Sequence, residues 1–317
     1  MYNENTINGL VNLKMLFDIS NICIDVLQDD LFTQQQVAVS VLRLDKIHPV
    51  VSGNKLFKLH YFLEKALSSQ HKTILSFGGA YSNHLVATAF ACQSMGLKSI
   101  GIIRGEKPAI LSHTLQQCIS YGMQLKFISR EEYGLKEKNS FNWALQKEYP
   151  GCMVIPEGGY HPLGAAGAAL IMDNVKNDDY SHICTATGTA TTLAGLLISA
   201  KKEQSIIGIP VLKGQTDIHE RINYLTGNSA VTKQLVLLNN YHFGGYAKKN
   251  TALIQFMNQC WQQFELPLDF VYTAKMFYGV IDAVKNNYFP AGSQILCLHT
   301  GGLQGNNSLP EGSLLYQ

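Results

Sequence analysis

The sequence predicts an α/β protein built on parallel strands. Short apolar runs of strand character recur at residues 73–77, 99–104, 124–128, 153–155, 181–186, 206–211 and 294–299. Most are separated by stretches with apolar residues at three- and four-residue spacing, the mark of amphipathic helices. Strand, helix and strand in this rhythm give βαβ units and a parallel sheet.

Taken in order, residues 1–36 are mixed and weakly patterned. Residues 37–44 read as a strand, with Val37, Val39 and Val41 on one face. A loop containing Pro49 leads to Ser52-Gly53-Asn54-Lys55, and a helix over 56–67 follows, its apolar face formed by Leu59, Phe62, Leu63, Ala66 and Leu67. Lys55 then falls in the first helical turn, where the macrodipole disfavours a cation. A neutral amine is the form that makes a Schiff base. A solvated cation on an exposed face is the competing reading for both Lys55 and Lys58.

After the strand at 73–77 comes the turn Gly78-Gly79-Ala80-Tyr81-Ser82-Asn83-His84, then a helix over 85–94 closed by Gly96. The strand at 99–104 precedes a helix over 109–121 ended by Gly122, and then the strand at 124–128. A polar helix over 131–148 reaches the strand at 153–155 and the turn Pro156-Glu157-Gly158-Gly159. A small-residue helix occupies 163–175, and the strand at 181–186 runs into Thr187-Gly188-Thr189-Ala190-Thr191-Thr192 and a helix to Ala200. Helices then contain 219–225, 251–264 and 275–285, and the last strand ends at Thr300-Gly301-Gly302. No Pro/Gly/Ser-rich linker marks a boundary, so two domains interleave rather than follow one another.

Composition narrows the function. At 317 residues with a net charge of +2 and scattered basic residues, the chain offers no electrostatic case for nucleic acid or an anionic membrane. Its seven cysteines are odd in number and widely spaced with no CxxC, which argues against a disulfide framework or a structural zinc site and fits reduced thiols in a cytosol. No apolar run has membrane-spanning length and the start lacks a secretory pattern. The expectation is a cytoplasmic enzyme with a small-molecule substrate and no metal.

Three stretches can carry chemistry. The turn at 78–84 sits between strand and helix, where unpaired backbone N–H groups converge and suit an anion. Ser82 and Asn83 add donors there, although the same residue types serve as ordinary helix caps. The turn at 187–192 follows the same logic, with a glycine and several hydroxyls able to cradle a phosphate, or merely to cap. GxxxxGK[ST], GxGxxG, GxSxG and HExxH are all absent. An amine at a helix start, an Asn/Ser anion turn and a phosphate cradle together match the needs of pyridoxal phosphate. Thr300 is a candidate partner for its ring nitrogen, and Lys58 can face the phosphate.

Seven motifs in order, Ser-Gly-Asn-Lys-x-x-Lys-Leu (52–59), Gly-Gly-x-x-Ser-Asn-His (78–84), Pro-x-Gly-Gly…Leu-Gly (156–164), Thr-Gly-Thr (187–189), Phe-Gly-Gly-Tyr (243–246), Val-Tyr-x-x-Lys (271–275) and His-Thr-Gly-Gly (299–302), resemble the 1-aminocyclopropane-1-carboxylate deaminase and D-cysteine desulfhydrase family. The resemblance implies a pyridoxal-phosphate enzyme of the tryptophan-synthase-β fold (fold type II), usually a homodimer, with a large domain (1–55 and 165–317) and a small one (56–164). It implies that Lys55 forms the imine, that Asn83 bonds the ring hydroxyl and that Ser82 with neighbouring amides holds the substrate carboxylate. It further implies that Thr187, Gly188, Thr189, Ala190 and Thr191 bind the phosphate and that Tyr246 and Tyr272 line the substrate pocket. Deaminase members carry Glu where this chain has Thr273 and Leu where it has Thr300, so both positions resemble the desulfhydrase branch. Phe57 stands where many members have arginine. The expected reaction is β-elimination from D-cysteine or a related D-amino acid. Deamination of the cyclopropane amino acid, a non-catalytic pyridoxal-phosphate binder and a Rossmann-like binder of another phosphorylated ligand are the alternatives.

Overall fold

The computed structural model describes residues 19–48, 51–176, 179–227 and 229–317, with side chains from 232 onward in the last stretch. In chain order the first elements are β1 (Ile24–Leu27), α1 (Asp30–Gln34), β2 (Ala38–Arg43), α2 (Lys55–Ser68), β3 (Thr73–Gly78), α3 (Asn83–Ser94), β4 (Lys98–Arg104), α4 (His113–Ser120) and β5 (Met123–Ile128). Then follow α5 (Arg130–Tyr133), α6 (Asn139–Glu148), β6 (Cys152–Ile155), α7 (Pro162–Ala169), β7 (His182–Thr187), α8 (Thr191–Ser199) and β8 (Ser205–Pro210). The last are α9 (Ile218–Thr226), β9 (Leu235–Leu237), α10 (Thr251–Phe264), α11 (Thr273–Lys285) and β10 (Gln294–His299).

The described chain divides into two compact units, one spanning Lys55–Gly167 and the other combining Ile19–Asn54 with Ala168–Gln317. Residues 1–18, assigned by the sequence to the large domain, and Pro49 in the loop before Lys55 lie outside the described residues.

The first unit holds a four-stranded, wholly parallel sheet in the order β5-β4-β3-β6. Leu75, Phe77, Ile100 and Ile102 bury into a core with Tyr133 and Leu145. Helices α7 and α2 meet so closely that a Cβ on Gly167 would stand 2.1 Å from the Phe57 carbonyl oxygen, which leaves room only for hydrogen. Phe57 itself is buried. The arginine that the family resemblance leads one to expect at this position is replaced here by a side chain packed into the core.

The second unit holds a six-stranded sheet in the order β1-β2-β10-β7-β8-β9. Only the edge pairing of β1 with β2 is antiparallel. Residues 295–299 of β10 are all fully buried, as expected of a central strand covered on both faces. Helix α11 lays Met276, Phe277 and Val280 into the same core as Val39, Cys184 and Ile295.

Several elements depart from expectation for identifiable reasons. The weakly patterned start contains β1 and α1, the strand being too short and too exposed at Val26 to alternate visibly, and the helix beginning where the Asp29 carboxylate accepts from Leu31 N–H. The helix expected over 109–121 starts only at His113, because the Ser112 hydroxyl caps it by accepting from Leu115 N–H. The polar helix over 131–148 is two helices, since the chain leaves α5 at Gly134 and re-enters α6 after Lys138. The helix over 163–175 tightens after Ala169 into a 3-10 turn, where the Asn174 amide donates back to the Leu170 and Ile171 carbonyls. The three-residue β9 lies in the short apolar run Leu235-Val236-Leu237-Leu238, which the sequence reading passed over, and it pairs with β8.

Candidate active site

Candidate residues of the first unit gather around the start of α2 and the turn after β3. Lys55 is the first residue of α2 and Lys58 lies one turn on. Lys58 is buried and makes no hydrogen bond or ion pair among the described residues. Burial, and then the charge of Lys55, hold its ammonium well below the usual lysine range. Gly159, at φ +71°, brings the backbone against the Lys58 side chain.

At the end of β3, a Cβ on Gly78 would stand 2.4 Å from Ser82 Oγ, so glycine lets the hydroxyl fold back over the turn. Ser82 is the N-cap of α3, its oxygen accepting from Leu85 N–H at 3.3 Å. Asn83 opens the helix with its Oδ1 buried and unpartnered. His84 is buried next to it. The Ser76 hydroxyl donates to the Ile155 carbonyl at 2.8 Å, so its oxygen accepts from His84 Nε2–H at 2.9 Å. That fixes the tautomer and leaves Nδ1 a bare, buried acceptor. Burial, then the charges of Lys58 and Lys55, push the imidazole down to about 3, so it stays neutral in use.

In the second unit, β7 ends at Thr187 and the loop Gly188-Thr189-Ala190 enters α8 at Thr191. Ala190 takes a left-handed φ of 65° at the N-cap and no side chain caps the helix. Such strain in a residue with a Cβ marks a constrained site. The Thr189 and Thr191 hydroxyls bond each other at 2.9 Å, while Thr187 Oγ1 is buried without a partner. Uncapped N–H groups and an orphaned hydroxyl at one helix start suit an anion. Gln215 Nε2 donates to the Gly188 carbonyl at 2.9 Å.

Thr300 lies directly after β10 and is buried. Gly53, at φ +83°, presses against it so closely that a Cβ would stand 1.9 Å from the Thr300 carbonyl oxygen. Beneath it, His299 Nε2 donates to the Pro267 carbonyl at 2.6 Å, and Nδ1 stands 3.2 Å from Asp45 Oδ1. The Arg43 guanidinium grips Asp45 through two bonds, at 2.9 and 2.7 Å, and reaches Asp25 at 2.6 Å. Burial alone would raise the Asp45 carboxyl, but His299 and Arg43 outweigh it and hold it below the usual carboxylate range.

The two tyrosines meet in this unit. Their ring centroids are 6.1 Å apart in an edge-to-face arrangement at 71°. Tyr272 lies over the phosphate-type loop, since a Cβ on Gly188 would stand 3.3 Å from its ring. Tyr246 is 46% exposed, and so presents much of its ring outward. Tyr272 is the N-cap of α11, with the buried Asp269 carboxylate accepting from the N–H groups of Val271, Tyr272 and Thr273. Thr273 is fully buried and donates its hydroxyl to Asp269 at 2.8 Å. Lys275 is fully buried too; burial draws it down to about 8, with Asp269 opposing.

Sequence reasoning passed over Asp269, Gln215, Ser76 and the Arg43–Asp45–His299 group. Asp269 had a readable signal, an acidic residue just ahead of a helix where capping residues fall. The others act through partners distant in sequence and carry no local signature.

Each unit by itself offers a feature that pyridoxal phosphate can use: the second an uncapped start of α8 beside the orphaned Thr187 hydroxyl, which suits a phosphate, and the first a buried Asn83 amide with an unpartnered oxygen. Comparison with known proteins points to the same group. The pyridoxal-phosphate dependent enzyme family matches residues 30–301. A putative 1-aminocyclopropane-1-carboxylate deaminase of Pyrococcus abyssi is 30% identical over 85% of this chain and 86% of its own. A mitochondrial bifunctional D-cysteine desulfhydrase/1-aminocyclopropane-1-carboxylate deaminase of Arabidopsis thaliana is 30% identical over 80% of this chain and 70% of its own. The crystal structure of an ACC deaminase homologue superposes with a TM-score of 0.76 at 26% identity, covering 90% of both chains. This chain therefore belongs to the 1-aminocyclopropane-1-carboxylate deaminase/D-cysteine desulfhydrase family of fold type II pyridoxal-phosphate dependent enzymes, with pyridoxal 5'-phosphate as its cofactor.

Proposed function

We propose that this lyase carries out β-elimination on D-cysteine or a related D-amino acid, with water, giving pyruvate, ammonia and sulfide. The carrying observation is Thr273. Deaminase members of the family have glutamate there, whereas here a buried threonine spends its hydroxyl on Asp269. No acidic group then follows Tyr272, and Thr300 offers a hydroxyl where deaminases have leucine. A hydroxyl partner leaves a ring nitrogen largely neutral, which favours expulsion of a good β-leaving group over deep charge delocalisation.

When bound, the cofactor supplies the electron sink for the bond at Cα. The protein's own groups do the rest. Lys55 Nζ takes the Cα proton. Ser82 and the N–H groups of its turn hold the substrate carboxylate, and Asn83 bonds the ring hydroxyl. The stretch Thr187, Gly188, Thr189, Ala190 and Thr191 holds the phosphate, with Lys58 facing it. Thr300 donates to the ring nitrogen. Tyr246 and Tyr272 line the substrate pocket, and Tyr272 orients the reacting groups. The unit with the six-stranded sheet is read as the large domain (1–55 and 165–317) and the other as the small one (56–164). A cytoplasmic homodimer is the proposed assembly.

A second reading, deamination of 1-aminocyclopropane-1-carboxylate, is favoured by the names of relatives at about the same identity. One experiment separates the two. The loaded enzyme is offered D- and L-cysteine, other D- and L-amino acids and the cyclopropane amino acid, with keto acid and sulfide assayed. Pyruvate and sulfide from the D-thiol substrates support the proposal, while 2-oxobutyrate from the cyclopropane substrate alone overturns it.

A further inference from the structure

The stretch from His242 to Ala247 has an unfavourable backbone. Phe243 (φ 51°), Gly244 (φ 91°), Gly245 (φ 118°) and Ala247 (φ 53°) all lie at positive φ. Two of these four carry a Cβ, for which the left-handed region is uncommon. Strained backbone of this kind persists only where its surroundings over-determine it. What holds it can be named. Gly244 N–H donates to His242 Nδ1 at 2.9 Å, and Gly245 N–H donates to the His242 carbonyl at 3.0 Å. Lys248 N–H donates to the Gly245 carbonyl at 3.1 Å, and Phe243 meets Tyr278 edge-to-face at 4.9 Å. Two further ties come from a side chain far along the sequence. Lys275 Nζ donates to the His242 carbonyl at 2.9 Å and to the Gly245 carbonyl at 2.7 Å.

Lys275 is fully buried in the first turn of α11, a costly position for an ammonium. The proposed chemistry does not use it. Its two charge-assisted bonds both end on the turn that leads into Tyr246. The same helix begins at Tyr272, whose backbone is fixed by Asp269. One short stretch of chain thus anchors both tyrosines, Asp269 from one side and Lys275 from the other.

We propose that Lys275 is a positioning residue that pins the 242–247 turn so that Tyr246 is held edge-on against Tyr272 and faces the substrate. Its action on catalysis rests on the reading of Tyr246 as a pocket residue; its action on the turn does not.

The test compares wild type, Lys275→Met and Tyr246→Phe, each loaded with cofactor. Three quantities are read: hydrogen exchange of amides 242–247, visible absorbance of bound pyridoxal phosphate, and kcat and KM separately. In Lys275→Met the amides of the turn exchange on the order of tenfold faster while α10 and β10 keep their protection. Cofactor absorbance is retained, and kcat/KM falls on the order of tenfold to a hundredfold, mostly through KM. Unchanged exchange across the turn overturns the proposal. Faster exchange with unchanged kcat/KM, together with an unaffected Tyr246→Phe, keeps the tether and removes the pocket role of Tyr246 instead. Should Lys275→Met not fold, Lys275→Gln, which is shorter but keeps an uncharged NH2 donor, reads the same quantities at an intermediate size.

Discussion

Asn54 Nδ2 donates to Thr192 Oγ1 at 2.6 Å across 138 residues of sequence. The bond is buried and ties the residue immediately before Lys55 to the first turn of α8. Asn54 N–H also reaches the Thr300 carbonyl at 3.4 Å. Within the second unit, Asn54 is therefore fixed by the same elements that offer the anion-type loop and the Thr300 hydroxyl.

That arrangement gives a direct expectation for Asn54→Ala. The Thr192 hydroxyl loses its partner in a dry site, which costs roughly 1–3 kcal/mol. Denaturant unfolding checks the cost. The variant also releases cofactor faster, because Thr192 belongs to the helix turn proposed to hold the phosphate. A variant with wild-type stability and wild-type cofactor retention would show the bond to be incidental.

Asp269→Ala tests the anchor of Tyr272. The carboxylate accepts three backbone N–H groups and the Thr273 hydroxyl, all in buried surroundings. Removing it leaves those four donors without an acceptor. A buried donor left unsatisfied costs roughly 1–3 kcal/mol, so the set together costs about 3–5 kcal/mol or more. A drop of this size in unfolding free energy is expected. Thr273→Val, which removes one hydroxyl and keeps the shape, should cost about 1 kcal/mol.

Acid stability follows from His84. Its folded value near 3 lies below the ordinary 6.5 of a free imidazole. Between those limits the unfolded chain takes a proton that the folded chain refuses. Stability from this group is thus complete above pH 6.5 and is lost as the pH falls toward 3, at up to about 1.4 kcal/mol per pH unit. His84→Gln removes this titration. Its unfolding free energy, followed from about pH 7 to about pH 4.5, should fall less steeply than that of wild type. Equal slopes in the two proteins would place the acid sensitivity elsewhere.

The parts of the candidate site legible in the sequence are those whose signal is local. Lys55 stands at the start of α2 because Leu59, Phe62 and Leu63 recur on one face, and that spacing is visible without coordinates. The turn after β7 is likewise announced by an apolar strand, a glycine and three hydroxyls. The family resemblance implies only that Tyr246 and Tyr272 both line the substrate pocket; nothing in their spacing shows the ring contact that the structure has. Long-range partners were illegible. Ser76 sets the His84 tautomer only because the Ile155 carbonyl, 79 residues on, takes the serine proton. Lys275 stands in a motif and Asp269 where capping residues fall, but the burial of both has no local signature and is decided by how α11 packs on the sheet. The missed helix break at Gly134 has a simpler cause: the flanking polar residues suit helix on both sides, so only the glycine marked the stop.

Lys55→Ala tests the residue on which the proposed chemistry turns. Borohydride reduction of the loaded wild type should attach the cofactor covalently, and peptide mapping should find it on Lys55. In Lys55→Ala that attachment is lost, yet the core is untouched, because Lys55 is only partly buried. Thermal unfolding of the variant should therefore match wild type closely, within about 0.5 kcal/mol. Turnover falls at least on the order of a hundredfold, the usual contribution of a positioned acid–base group, and by more if the covalent link is also needed. Lys58 is the internal control. Its buried ammonium is proposed to face the phosphate, so Lys58→Met should weaken cofactor retention and leave the borohydride label on Lys55. A label that moves to Lys58, or turnover that survives in Lys55→Ala, would assign the base to the second lysine.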